Sequence, residues 1–101
     1  MENITGEQLE QLLTSGEAVL VDFFAKWCGP CKQLMPRLTS MADQYPNIKF
    51  VSVDVDENTD EAIKLGIRSV PTVMIFKGND LINRSSGVQP DSFYKDVLNN
   101  L

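Results

Sequence analysis

Both cysteines of this chain lie in one stretch, Trp27-Cys28-Gly29-Pro30-Cys31-Lys32, between an apolar run and a segment of helical spacing. The run, Val19-Leu20-Val21-Asp22-Phe23-Phe24, is rich in β-branched and aromatic residues without clean alternation. That pattern predicts a central strand over Ala18 to Ala25, covered on both faces. From Cys28 to about Gln44, the positions Leu34, Leu38, Met41 and Ala42 recur at helical spacing. The chain must therefore pass from a buried strand through a short loop into a helix, with two thiols at the junction. Two thiols so placed can close a small disulfide and reopen it. Cys28, nearer the helix end, would meet unpaired backbone N–H groups and the positive end of the helix dipole, which favour a thiolate. Since the thiolate is the species that attacks disulfides, the pattern points to thiol–disulfide chemistry.

Residue types that are missing narrow the alternatives. With two cysteines and no histidine, an ordinary structural zinc site lacks half its ligands, and a Cys–His hydrolase dyad cannot form. A structural disulfide normally clips distant segments of a secreted domain, and closing so short a loop stabilises little. A length of 101 residues suits one domain, 1–101, with one core. The net charge of −5 argues against a nucleic-acid partner. The longest apolar stretch is broken by Asp22 and is far too short to span a bilayer, so no membrane partner is expected. The start, Met1-Glu2-Asn3-Ile4-Thr5-Gly6-Glu7, lacks the apolar core of a signal peptide, and the expected location is cytoplasmic.

The remaining elements follow from local signals. Thr5-Gly6-Glu7-Gln8 has the form of a capping box, followed by Leu9, Leu12 and Leu13 and ended by Ser15-Gly16. Pro36 falls inside the cysteine helix and should kink it. Lys49 to Val55 is a second strand, and Asn58-Thr59-Asp60-Glu61 opens a short helix closed by Gly66. Thr72 to Phe76 is a third strand, joined through Lys77-Gly78-Asn79-Asp80 to a fourth over Leu81 to Ser86. Gln89-Pro90 starts the last helix, with proline in its first turn. The expected fold class is α/β: a mixed four-stranded sheet with helices on both faces.

Beyond the cysteines, Val21-Asp22-Phe23, Pro36, Val55-Asp56-Glu57-Asn58, Gly66-Ile67-Arg68-Ser69-Val70-Pro71-Thr72, Phe76-Lys77 and Gly87 complete a pattern that resembles the thioredoxin family over nearly the full length. The resemblance implies a thioredoxin-like sheet in a single domain. It also implies a nucleophile, Cys28, exposed to targets, and a resolving thiol, Cys31. Gly29-Pro30 is a spacer like that of the reducing members. The lone Trp27 reads either as core or as part of the site, and the resemblance favours the site. Lys32 belongs to the active-site string, and Lys26 and Lys32 flank the thiols. Asp22 reads either as a solvent-facing strand-end carboxylate or, by resemblance, as a buried acid relaying protons to Cys31. Many relatives place a charge opposite this acid, whereas this chain has Ser52, whose hydroxyl can hydrogen-bond but cannot neutralise. Pro71 reads on its own as the first residue of a strand. The resemblance instead implies a cis Val70–Pro71 bond facing the cysteines, with the Val70 backbone and Gly87 receiving an extended substrate.

The activity so implied is reduction of protein disulfides by a Cys28–Cys31 dithiol. It uses no metal and no cofactor beyond that redox-active disulfide. The expected partners are protein disulfide substrates and a separate thioredoxin reductase, and the expected state is a monomer. Two alternatives are a dedicated electron donor to one reductase or peroxidase, and a thioredoxin-fold binding subunit with no catalysis.

Overall fold

The computed structural model describes residues 1–101. Its elements, in chain order, are β1 (Glu2–Asn3), α1 (Gly6–Thr14), β2 (Ala18–Phe24), α2 (Gly29–Ala42), β3 (Ile48–Asp54), α3 (Thr59–Lys64), β4 (Thr72–Lys77), β5 (Asp80–Ser86) and α4 (Asp91–Leu98). They form a five-stranded sheet in the order β1-β3-β2-β4-β5. β2 lies at the centre, parallel to β3 and antiparallel to β4, and the β4–β5 hairpin closes one side. One strand was not anticipated. β1 pairs Glu2 with Val51 and Asn3 with Ser52, and two exposed polar residues carry no periodicity that a sequence pattern could register.

The unbroken apolar character of β2 follows from its position between two cores. Val19, Val21 and Phe23 join Val51, Val53, Met74 and Phe76 beneath Leu9 and Leu13 of α1. Leu20 faces the other way, packing with Phe50, Val73 and Ile75 against Leu34, Leu38 and Met41 of α2 and Tyr94 and Leu98 of α4. Successive strand residues point to opposite faces, so both parities must be apolar where both faces are covered.

Local signals mostly translate directly. Thr5 caps α1 by accepting from Gln8 N–H at 3.1 Å, while Gln8 Oε1 accepts from Thr5 N–H at 2.9 Å. Gly66 ends α3 with φ +68°, the left-handed conformation glycine adopts without penalty. Helix α2 continues through Pro36 to Ala42. Pro90, by contrast, is the N-cap of α4 (φ −61°, ψ 154°) rather than a first-turn residue, and it offers no side-chain cap. The start of α4 is held from α2, where Arg37 donates to Gln89 O at 2.5 Å and to Asp91 Oδ1 at 2.6 and 2.8 Å. Asn58 does not cap α3. It ties the two ends of that face together, accepting from Gly6 N–H at 2.8 Å and donating to Asp54 O at 2.9 Å.

Helices α1 and α3 meet at Gly6, where an added Cβ would sit 2.6 Å from Glu61 Cβ and 2.9 Å from Glu61 Cγ. Glu61 Cβ is fixed by the α3 backbone and cannot swing aside. Helix propensity alone favours alanine over glycine by up to about 1 kcal/mol, but overpacking costs about 1–3 kcal/mol. Gly6→Ala is therefore expected to lower the urea midpoint. An unchanged or raised midpoint would mean that the two helices separate freely.

Candidate active site

The junction between β2 and α2 is built so that a sulfur serves as the helix cap. After Phe24 the chain turns, Cys28 N–H bonding to Ala25 O at 3.1 Å. Cys28 is then the N-cap of α2 with extended dihedrals (φ −87°, ψ 110°), and Pro30 occupies the first turn, where a missing N–H costs little. A serine or aspartate side chain would ordinarily accept from the first-turn N–H groups. Here Cys28 Sγ does so, accepting from Cys31 N–H at 3.2 Å. The two cysteines form a disulfide with Cα atoms 5.3 Å apart. On reduction, the same N–H and the helix dipole stand ready for a negative Cys28 sulfur.

Neither cysteine is open to solvent in this disulfide state. Cys28 is 4% exposed and Cys31 1%, packed with Ala25 and against Phe24, Val55 and Val70. The expectation of an exposed Cys28 is thus corrected: Phe24, Val55 and Val70 pack over the cysteines and cover most of that residue. Gly29, Pro30 and Lys32 are exposed around it.

The second half of the site arrives from the other side of the sheet's end. The Val70–Pro71 peptide is cis. Val70 O lies 3.6 Å from Cys28 Sγ, within reach of a thiol S–H as acceptor. Pro71 O accepts from Gly87 N–H at 2.8 Å, so the end of β5 is fastened to the same segment. Gly87 has φ +76° and open space on the side where a Cβ would lie. Both halves depend on β2 and β4 being adjacent, paired Phe23 with Thr72.

Trp27 is 71% exposed, which excludes the core reading. Its Nε1 donates to Asp56 Oδ2 at 2.8 Å, and Asp56 N–H in turn bonds to Asp54 Oδ1 at 2.9 Å. The indole is therefore pinned beside the cysteines, forming with Val55, Ile67 and Val70 part of a shallow hollow of about 140 Å³. Across the disulfide, Phe24, Cys31, Met35 and Pro36 help line a larger open apolar pocket of about 460 Å³. Lys26 pairs with Glu57 at 3.1 Å and Asp54 at 4.0 Å. Those acids raise its pKa, the Glu57 hydrogen bond contributing most.

Asp22 is fully buried, and neither carboxylate oxygen has a hydrogen-bond partner. The solvent-facing alternative is therefore excluded. Burial pushes its pKa up to about 7. Its residue parity places it on the face covered by α2, next to Val73 on one side and Ser52 on the other. Ser52 Oγ does not serve it, donating instead to Asn3 Oδ1 at 3.3 Å. The unforeseen β1 thus takes up the Ser52 hydroxyl, and the acid is left without a partner.

Two contributors went unnoticed in the sequence. Glu61 is buried against Gly6, its carboxyl raised in pKa first by burial and then by a hydrogen bond with Glu10. Arg84 bonds to the backbone at the end of α3. A charged residue in a helical or edge-strand segment ordinarily reads as solvated, and no local pattern marks these two as different.

Comparison with known proteins agrees with this geometry. The family model described as Thioredoxin matches residues 1–99. The thioredoxin of Mycoplasma genitalium is 38% identical over 94 residues, covering 93% of this chain and 92% of its own. Thioredoxin-2 of Pyricularia oryzae is 42% identical over 89 residues, 87% of this chain, which spans only 52% of that protein's length. Among solved structures, the thioredoxin of Fasciola hepatica superposes with a TM-score of 0.89 at 32% identity, both chains being covered completely. A disulfide that caps its own helix, on a sheet shared with these proteins from end to end, makes the chain a member of the thioredoxin family and a thiol–disulfide oxidoreductase.

Proposed function

We propose that the protein reduces disulfides in other proteins by a two-step exchange and is itself recharged by a separate thioredoxin reductase. The observation that carries the direction of attack is the hydrogen bond from Cys31 N–H to Cys28 Sγ, which stabilises negative charge on Cys28 and not on Cys31. The Cys28 thiolate attacks one sulfur of the target disulfide, forming a mixed disulfide and expelling a target thiolate that takes up a proton. Cys31 then loses its proton and attacks the Cys28 sulfur of the mixed disulfide. The Cys28–Cys31 disulfide closes, and the target leaves as a dithiol with two electrons gained.

Asp22 is the base that this second step requires. It is buried on the α2 face, and a pKa near 7 lets it both accept and return a proton at neutral pH. The Val70 backbone, beside Cys28, receives an extended segment of the target. Gly87 leaves room for that segment, and Trp27 and Lys32 flank it. The Val70 carbonyl, 3.6 Å from Cys28 Sγ, places this backbone against the sulfurs. Reaction at protein surfaces suits a monomer working in a reducing compartment such as the cytoplasm. No helix is long and apolar enough to cross a membrane.

Cys28→Ser is expected to abolish insulin reduction, while Cys31→Ser accumulates covalent adducts with the target because attack survives and resolution fails. A Cys31→Ser protein that forms no such adducts would reverse the assignment of roles.

The spacer sets the balance between the two redox states. Pro30 gives the first turn of α2 no N–H. A histidine there restores one and adds a cation near the sulfur, both favouring the reduced thiolate. Pro30→His should therefore make the couple more oxidising by tens of millivolts, about 30 mV corresponding to 1.4 kcal/mol for two electrons. A potential unchanged within a few millivolts would remove the spacer from control of direction.

Asp22 also writes itself into the stability of the fold. Below about pH 4 the acid is protonated in both states and contributes no penalty. Between about pH 4 and 7 the unfolded chain releases its proton while the folded protein keeps it, so stability falls by about 1.4 kcal/mol per pH unit; above 7 the loss is complete. Asp22→Asn removes this slope. It should be more stable than wild type at pH 7 by about 2–4 kcal/mol, and indistinguishable near pH 4. Glu61, also raised, leaves a residual slope of the same sign. The variant should reduce insulin more slowly, through the resolving step. Lower stability with unaltered turnover would make Asp22 an ordinary structural carboxylate.

A further inference from the structure

The segment from Gly66 to Val70 presents the carbonyl that faces Cys28, yet it belongs to no helix or strand. Its two flanks are fastened from β5 and from Gly87, which follows it. At the far end, Gly87 N–H donates to Pro71 O at 2.8 Å. At the near end, Arg84 Nη1 donates to Leu65 O and Nη2 to Gly66 O, each at 2.6 Å. Backbone bonds close the last turn of α3, with Leu65 N–H to Glu61 O and Gly66 N–H to Ile63 O, each 3.0 Å, but the carbonyls of Leu65 and Gly66 accept no backbone N–H. A helix C-terminus is where carbonyls lack partners and where a cation is favoured.

Arg84 is fitted to that place in three respects. It pairs with Met74 of β4, which points into the α1/α3 face, so its side chain leaves the sheet on the side where α3 lies. Its planar fork offers Nη1 to one carbonyl and Nη2 to the other in a fixed geometry, which the point charge of an ammonium on a flexible stem does not impose. It has no carboxylate partner in the structure, so the two carbonyls are what holds the guanidinium. Between those carbonyls and Val70 the chain turns at Gly66 (φ +68°), and the only other local ties are Ile67 N–H to Ala62 O at 2.8 Å and Thr72 Oγ1 to Ser69 O at 2.7 Å.

We propose that Arg84 is a positioning residue for protein substrates: by clamping the exit of α3 it fixes where the Val70 backbone stands relative to Cys28, and so sets affinity for extended disulfide targets without entering the chemistry. The inference rests on the reading that the Val70 backbone receives the target. Arg84 is remote in sequence from both cysteines and from Pro71, and it touches neither sulfur. Its loss therefore acts on the fraction of molecules whose docking segment is in place. If that fraction falls to about one tenth, the apparent dissociation constant for a docked target rises about tenfold.

The reduced protein is mixed with insulin, whose disulfides lie in a polypeptide, and separately with dithiobis-nitrobenzoate, which has no backbone to pair, and loss of its thiols is followed in single turnover. Arg84→Ala should raise the half-saturating insulin concentration about tenfold, with the maximal rate and the aryl disulfide rate within about twofold of wild type. Arg84→Lys, keeping the charge without the fork, should fall between, and it decides the case if the alanine variant does not fold. An unchanged half-saturation, or an equal loss toward both disulfides alongside a lowered denaturation midpoint, overturns the proposal. Pro71→Ala is run in parallel. If it raises the insulin half-saturation while the Arg84 variants do not, Arg84 alone is misassigned. If it also leaves half-saturation unchanged, the docking reading itself fails and the Arg84 role falls with it.

Discussion

Strand β2 is buried from both sides, and nearly everything else is placed by that fact. A strand covered on both faces needs a neighbour on each edge and a helical layer above and below. Here β3 and β4 supply the edges, and α1 with α3 and α2 with α4 supply the layers. The strand ends where α2 must begin, so the loop between them emerges at the end of the sheet rather than on a face. Because β4 runs antiparallel to β2, its first residue, Thr72, meets Phe23 at that same end. The cysteines and the Val70–Pro71 segment, forty residues apart in sequence, therefore meet through strand pairing rather than through contacts of their own.

The same burial accounts for the electrostatics of the site. A carboxylate placed in the middle of such a strand has lost its water and must find partners or resist ionising. Asp22 has found none, since the hydroxyl opposite it is engaged by Asn3. A cation in that position would pull the pKa down and commit the acid to its charged form. Its absence leaves Asp22 able to change charge at neutral pH, at the expense of stability. At the cysteines the arrangement is the reverse. The Cys28 sulfur is met by a backbone N–H, which needs no titration.

Much of this was legible in the sequence because it is written in local patterns. The Thr5–Gln8 capping box, the double-faced apolar run around Val21 and the helical spacing of Leu34, Leu38 and Met41 each follow from rules acting over a few residues. The cysteine pair and the Val-Pro-Thr segment were legible as a family pattern, and the structure brings them together as that pattern implied. What the sequence hid depends on partners far along the chain. β1 exists because Val51 and Ser52 offer it an edge; Asn58 serves Gly6 rather than its own helix; Pro90 moves one place because Arg37 holds Gln89 and Asp91. The burial of Cys28 belongs to the same class, since the groups that cover it come from the segments around Val55 and Val70.

The two outer strands bear on a different matter, the behaviour of the protein at high concentration. An open sheet offers unpaired N–H and C=O groups along each edge, and a long flat edge invites another chain to add itself as a strand. β1 is only two residues long and polar, so it gives a visitor almost nothing to pair with. β5 is longer and exposes Leu81 and Ile82, but its pairing with β4 shifts at Ile75/Phe76, and Asp80 and Arg84 place opposite charges along it. Both margins thus discourage sheet-to-sheet stacking between copies. A protein that exchanges disulfides with other proteins is the kind for which a sticky margin would be damaging, and here one margin is short and polar and the other is broken by a register shift and opposite charges.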